Sequence, residues 1–250
     1  MAESALDSIE DVAVVVFAKA PRAGRVKTRM GASIGEERAT ALYRCFLDDI
    51  AEQVGALADE LDQPVSPLLA YAGDPQHEGF GGFRDAGFAL IEQRGPDLGA
   101  RLRSVVERCF AAAAKRVIII GTDSPTLLQR HFRAALDALE HNDVVVGPSF
   151  DGGYYMIGLD APHTSVFDNI EWSTPQVYGQ TLRHARAAGL LCESLEFWYD
   201  ADTIADLKLL KTHLFDYLRY RQPHVARRTA EFIEELDEQG VWDWHVTCDD

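Results

Sequence analysis

The stretch Val12–Ala18, Val-Ala-Val-Val-Val-Phe-Ala, runs through seven apolar residues with no polar side chain to turn toward water. A strand with one wet face alternates polar and apolar residues, so this run has to be covered on both faces. Val117–Gly121 and Val144–Gly147 have the same character, and stretches of helical period lie between the three. Short buried strands alternating with helices lead to a mainly parallel sheet flanked by helices. Further strands are expected at Ser66–Tyr71, Phe88–Glu92, Tyr154–Leu159 and Leu191–Phe197. Helices are expected at Glu36–Asp59, Leu98–Ala114, Leu127–Glu140, Pro175–Ala188, Ala205–Tyr220 and Pro223–Gln239. No repeat, low-complexity segment or long linker divides the chain. The expected organisation is an acidic tail over residues 1–11, one α/β domain over 12–204 and a helical C-terminal extension over 205–250.

Charge narrows the partners. With 24 Lys and Arg against 40 Asp and Glu the net charge is −16, the wrong sign for a nucleic acid or an anionic membrane surface. No apolar run approaches the roughly 20 residues that cross a bilayer, and the N-terminus is acidic where a signal peptide is basic. Cys45, Cys109, Cys192 and Cys248 show no C-x-x-C pair and no His at zinc-finger spacing, and read as reduced thiols of a cytoplasmic protein. His163, His213 and His245 form no ligand spacing. Against this background Val12–Gly35 carries Lys19, Arg22, Arg25, Lys27 and Arg29 without a single acid.

In an open α/β sheet ligands bind beyond the carboxyl ends of the strands, which turns attention to the segment after each strand. The basic island comes after the first. A loop with Gly24 and several cations can wrap a phosphate chain, although it equally suits a solvated loop whose charges balance nearby acids. The loop has neither the Gly-x-x-x-x-Gly-Lys-Ser/Thr of a P-loop nor Gly-x-Gly-x-x-Gly. Asp123 comes directly after Val117–Gly121 and Thr122, placed either to reach a hard divalent cation or to cap the next helix. Asp200 and Asp202 offer the same choice, with Thr203 as a competing cap. Asp151-Gly152-Gly153 suits a tight turn and equally a floor for an acceptor. Gln93 could read a base edge in Gln93–Arg101, which also holds Gly99, while Gly95, Pro96 and Asp97 suit a plain turn and cap. Trp172, before Ser173 and Thr174, offers an aromatic plane to a sugar-like acceptor, or is a buried ring before a helix cap.

Together and in this order, Phe17–Met30, Gln93–Leu102, Gly121–Pro125, Gly147–Leu159, Trp172–Thr174 and Asp200–Thr203 resemble the DUF2064 family of glycosyltransferase-like proteins. That family lies in the nucleotide-diphospho-sugar transferase superfamily. Lys27–Met30 with Glu36–Arg38 is also similar to the opening of 2-phospho-lactate guanylyltransferases. The resemblance implies a Rossmann-like GT-A domain in which Lys19, Gly24, Arg25, Lys27 and Arg29 surround the nucleotide phosphates. It implies Asp123 and Asp202 at a divalent metal, Mg²⁺ or Mn²⁺, with Asp200 beside them.

The expected activity is metal-dependent transfer of a sugar from a nucleoside diphospho-sugar to a small acceptor. Lys27 would hold the leaving nucleotide, Asp151 would serve as acceptor-side base, and Gly152, Gly153 and Trp172 would receive the acceptor. The first alternative is nucleotidyl transfer from a triphosphate to a phosphorylated acceptor, with release of pyrophosphate. The second is a non-catalytic nucleotide-binding protein, with Phe215, Tyr217, Tyr220, Trp242 and Trp244 of the extension as an assembly surface, a homo-oligomer included.

Overall fold

The computed structural model describes residues 9–222 and 224–241. Most of the expected acidic tail, Pro223, and the segment holding Trp242, Trp244, His245 and Cys248 lie outside the described residues.

The first strand, β1 (Val12–Lys19), is an interior strand, third in a seven-stranded sheet, and Val12 to Val16 have no exposed surface. It pairs in parallel with β2 (Val65–Ala72) and β4 (Arg116–Ile120), and β2 pairs in parallel with β3 (Ala89–Glu92). On the other side β6 (Tyr154–Leu159) runs antiparallel between β4 and β5 (Val144–Pro148), and β7 (Cys192–Ser194) closes that edge parallel to β5. The spatial order is β3-β2-β1-β4-β6-β5-β7, a mixed and mostly parallel sheet.

Alternate residues of the continuous runs feed two separate cores. Val12, Val14 and Val16 face α2 (Glu36–Glu60), whose Leu42, Phe46, Ile50 and Leu57 recur at helical spacing. Ala13 and Val15 face α4 (Leu98–Ala111) through Leu102, Val105 and Val106. The first core also takes in α1 (Thr28–Ile34) and α5 (Gln129–Ala138); the second takes in α6 (Val177–Ala187). A short α3 (Gly81–Asp85) precedes β3.

The extension forms α7 (Ile204–Thr212), a π-helical turn at His213–Leu218, α8 (Arg219–Arg221) and α9 (Arg227–Glu238). Leu207, Leu210, Leu214, Leu218, Ile233 and Leu236 join the same core as α2. The extension is therefore packed into the domain. The expected helix from Pro223 begins four residues later, at Arg227, after a left-handed Ala226 (φ 50°).

Two other expectations change. The strand expected over Leu191–Phe197 shrinks to Cys192–Ser194, since β5 is irregular at Gly147/Pro148 and the ladder beyond continues only as a single bridge, Ser149 to Trp198. The basic loop expected over Lys19–Arg29 ends at Lys27, where Thr28–Ile34 coil into α1 with Met30 and Ile34 buried.

Candidate active site

The carboxyl ends of β1, β4 and β5, the start of β6 and the loop before α7 share one edge of the sheet. Backbone and side-chain bonds pin that loop to the tip of β4. Ala201 N donates to Asp123 O at 2.7 Å, and the one proton of Ser124 Oγ is shared between Tyr199 O at 3.0 Å and Asp200 Oδ1 at 2.8 Å. Helix capping does not explain the three aspartates. Thr203 caps α7 in a reciprocal box with Asp206, and α5 begins at Gln129 with Leu128 as its cap. Asp123, Asp200 and Asp202 are left facing the cleft.

Lys27 organises this edge, and here the structure corrects the expectation that it grips phosphate. Its side chain is only 2% exposed. Nζ donates to Ala201 O at 2.8 Å and to Asp202 Oδ1 at 3.0 Å, pairs with Asp123 Oδ1, and lies 5.1 Å from the centre of the Phe46 ring. An ammonium has three protons, and all three are used. Burial alone would lower its pKa, but the charges of Asp123 and Asp202 outweigh burial and raise it, so the cation persists. The backbone of Lys27 is left-handed (φ 46°) where the loop turns into α1. Strain of this kind persists where surrounding contacts over-determine it.

The cleft has two lobes that meet at Asp123, Asp202, Arg29, Phe17 and Ser173. The first, about 520 Å³, is lined by Lys19, Arg25, Arg29, Lys27, Tyr43 and Gln93. Lys19, Arg25 and Arg29 are exposed and form no ion pair among the described residues. Gly24 lies in their loop, close to the carboxylate of Glu36. Beneath them the Tyr43 hydroxyl meets Thr122 Oγ1 at 3.0 Å, and burial pushes its pKa up to about 12. The second lobe, about 450 Å³, holds Asp151, Asp200, Ser149, Gly153, Tyr154 and Trp172 over an apolar floor that includes Leu98 and Leu102. Burial, followed by the nearby charge of Asp123, lifts Asp200 to about 6.

The remaining expected residues divide. Gln93 reaches the first lobe, but Nε2 donates to Ala18 O (3.1 Å) and Ala70 O (2.7 Å), so only its carbonyl oxygen is left for a base. Gly99 is buried beside the second lobe, where a Cβ would stand 2.8 Å from Phe167 O and 3.0 Å from Trp172 Nε1. It seats Trp172 and has no surface to offer a nucleotide. Gly152 likewise packs on a neighbour: its φ is 88°, and a Cβ would stand 2.3 Å from Pro175 O. Gly153 and Trp172 do line the second lobe, with Trp172 edge-on to Tyr154. Asp151 is exposed, and one of its oxygens accepts Ser149 Oγ at 2.5 Å and Gly153 N at 2.8 Å. Sequence reasoning missed Phe17, Tyr43 and Ser149. Only Phe17 left a trace, as the lone aromatic in an aliphatic run.

The donor set also suits a hard cation. Asp123 and Asp202 each give one oxygen to Lys27, and their side chains are 45% and 36% exposed. Mg²⁺ is commonly held by one or two carboxylates together with substrate phosphates, so this pair fits. Asp200 does not converge with them. Among the described residues, the three-residue cluster of ligand type is Asp143, Asp160 and His163, at the start of β5 and the end of β6 on the sheet's other edge. Three described cysteines, Cys45, Cys109 and Cys192, are free thiols. No described helix is long and apolar enough to cross a membrane.

Comparison with known proteins gives relatives of the same fold. Residues 57–174 match the family described as "uncharacterized protein conserved in bacteria (DUF2064)". A candidate nucleotide-diphospho-sugar transferase from Desulfovibrio desulfuricans G20, known from its crystal structure, is 30% identical. The match covers 92% of this chain and 96% of that one, with a TM-score of 0.77. A cytidylyltransferase from Leptospira borgpetersenii is 11% identical over 94% of this chain and 100% of that one, with a TM-score of 0.53. The 4-diphosphocytidyl-2C-methyl-D-erythritol synthase of Anaerococcus prevotii is 9% identical over 79% and 94%, with a TM-score of 0.52. The last two share the fold alone. No curated protein sequence matches the chain.

Proposed function

The chain belongs to the DUF2064 family, and from that premise we propose that it is a transferase of the Rossmann-like GT-A type. In this reading it binds a nucleoside diphospho-sugar with a divalent cation and passes the sugar to a hydroxyl of a small acceptor. The observation that carries it is the cleft itself. A basic lobe, with three cations that form no ion pair among the described residues, and a carboxylate-bearing apolar lobe meet at Asp123 and Asp202.

Lys19, Arg25 and Arg29 hold the diphosphate and stabilise charge as it develops on the departing nucleotide. Asp123 and Asp202, bridged by Lys27, would ligate the cation, which when bound would neutralise the diphosphate and make it a better leaving group. The acceptor oxygen forms its bond to the anomeric carbon while the bond from that carbon to the diphosphate oxygen breaks. The acceptor proton passes to Asp151, and the nucleoside diphosphate leaves with the electron pair. Ser149, hydrogen-bonded to Asp151, fixes the orientation of that carboxylate.

The test is calorimetric titration of the full chain with a panel of sugar nucleotides in the presence of Mn²⁺. Saturable binding that is lost in Asp123→Asn is expected; no binding to any of them overturns the reading. One observation favours a second reading, nucleotidyl transfer. Lys19, Arg25 and Arg29 supply more cationic charge than a diphosphate needs, and a triphosphate would use it. Pyrophosphate release from a nucleoside triphosphate in the presence of a phosphorylated acceptor would establish that reaction instead.

A further inference from the structure

The two lobes differ in charge, and the difference bears on the acceptor. Asp123 and Asp202 are compensated by Lys27, but Asp151 and Asp200 in the second lobe have no ion-pair partner among the described residues. The cation that reaches this lobe, Arg29, sits on its border and also lines the basic lobe. A phosphorylated or carboxylated acceptor would place its charge beside two carboxylates without a cation of its own, which is unfavourable in a partly desolvated cleft.

The walls of this lobe point the same way. Phe17, Leu98, Leu102, Tyr154 and Trp172 give it an apolar surface, and its volume of about 450 Å³ suits a small molecule. Outside the lining of the lobe, two further rings are exposed, one of them between Ser149 and Asp151 in the chain. Phe150 and Phe197 are stacked at 5.7 Å and are 74% and 55% exposed, and Tyr178 stands edge-on to Phe197 at 6.4 Å. The bridge between Ser149 and Trp198 brings these rings to the place where Ser149 and Asp151 enter the lobe. Neither phenyl ring is needed for the core, and two stacked rings left in water at the rim of a cleft mark a binding surface.

We infer that the acceptor is an uncharged hydroxyl compound with an apolar, ring-bearing body, and that Phe150 and Phe197 hold the part projecting from the cleft. The inference rests on the transferase reading and narrows its second substrate. The hydroxyl lies against Asp151, the body against Trp172 and Tyr154, and the outer ring against the two phenylalanines.

Saturation-transfer NMR on the full chain tests this with two probes, para-nitrophenyl glucoside, which is neutral and aromatic, and glycerol phosphate, which is anionic. Each is titrated without nucleotide and with UDP, GDP, CDP, ADP and Mn²⁺ added together to fill the basic lobe. The neutral probe is expected to bind in both conditions, and Phe150→Ser to weaken it about fivefold while leaving nucleotide affinity unchanged. Glycerol phosphate is expected to lose all transfer once nucleotide is present. Equal or tighter binding of glycerol phosphate in the nucleotide-filled protein overturns the inference. Unchanged affinity for the neutral probe in both Phe150→Ser and Phe197→Ser also overturns it. If no nucleotide binds at all, the donor reading fails, while the nucleotide-free titration of the neutral probe against the Phe150→Ser protein still decides the acceptor.

Discussion

The ammonium of Lys27 stands 3.0 Å from the carboxylate of Asp202 and donates to the carbonyl of the preceding residue, Ala201, while pairing with Asp123 in the loop after β4. One side chain thereby joins the loop after β1, the tip of β4 and the loop before α7. Removing it leaves two carboxylates facing each other. Lys27→Met is expected to lose about 2 kcal/mol of stability, below the cost of breaking a fully buried pair because both acids are partly exposed. Urea denaturation measures the loss. A stability equal to that of the parent protein would mean that the triad does not hold the three loops together.

The exposed cations behave in the opposite way. The side chains of Lys19, Arg25 and Arg29 support no described contact, so Arg25→Ala and Arg29→Ala are expected to change stability by less than about 0.5 kcal/mol. If they hold the donor phosphates, each costs about 1.5 kcal/mol of binding, roughly tenfold in Kd. The loss should shrink as salt is raised. Melting curves and nucleotide titrations at two salt concentrations separate the two effects, and a large stability loss with unchanged binding would contradict the assignment.

The sheet and its flanking helices were legible because the evidence for them is periodic and local. Val12–Val16 is buried on both faces, and α2 carries its apolar stripe at the expected spacing. The basic island also pointed to the edge where the cleft lies. The sequence could not distinguish Lys27 from Arg25 or Arg29. All three are cations in one loop, and the left-handed turn at Lys27 that sends its side chain inward depends on acceptors nearly 100 and 175 residues away. The glycines misled for a related reason. Gly99 and Gly152 sit among ligand-binding motifs, yet their missing side chains make room for Phe167, Trp172 and Pro175. What a glycine accommodates is visible only once its neighbours are in place.

Besides its apolar packing, the C-terminal extension is held to α2 by a buried acid. Asp49 on α2, 2% exposed, accepts Thr229 N at 2.8 Å and Arg228 N at 3.1 Å, filling two of the free donors of the first turn of α9. Asp49→Ala is expected to cost about 2 kcal/mol, the upper range for a lost cap because the site is buried. Amide exchange in α9 should rise before exchange in β1. Uniform acceleration across the sheet would show instead that the extension and the domain open together.

Acid sensitivity should centre on His131. It is 3% exposed, its Nδ1 accepts Leu128 N at 2.8 Å, and its ring stands 4.5 Å from that of Trp198. Burial, with Arg130 adding to it, lowers its pKa from 6.5 to about 4. Below about pH 6.5 the unfolded chain takes up a proton that the folded protein refuses until about pH 4. Stability contributed by the neutral ring is therefore full above pH 6.5 and is lost as the pH falls through that window, by an amount on the order of 3 kcal/mol. His131→Gln keeps an acceptor for Leu128 N but cannot take up a proton, so its stability should fall less between pH 6.5 and 4. Carboxylates titrate in both proteins and cancel in the difference. Parallel stability curves for the two proteins across that range would place the acid sensitivity elsewhere.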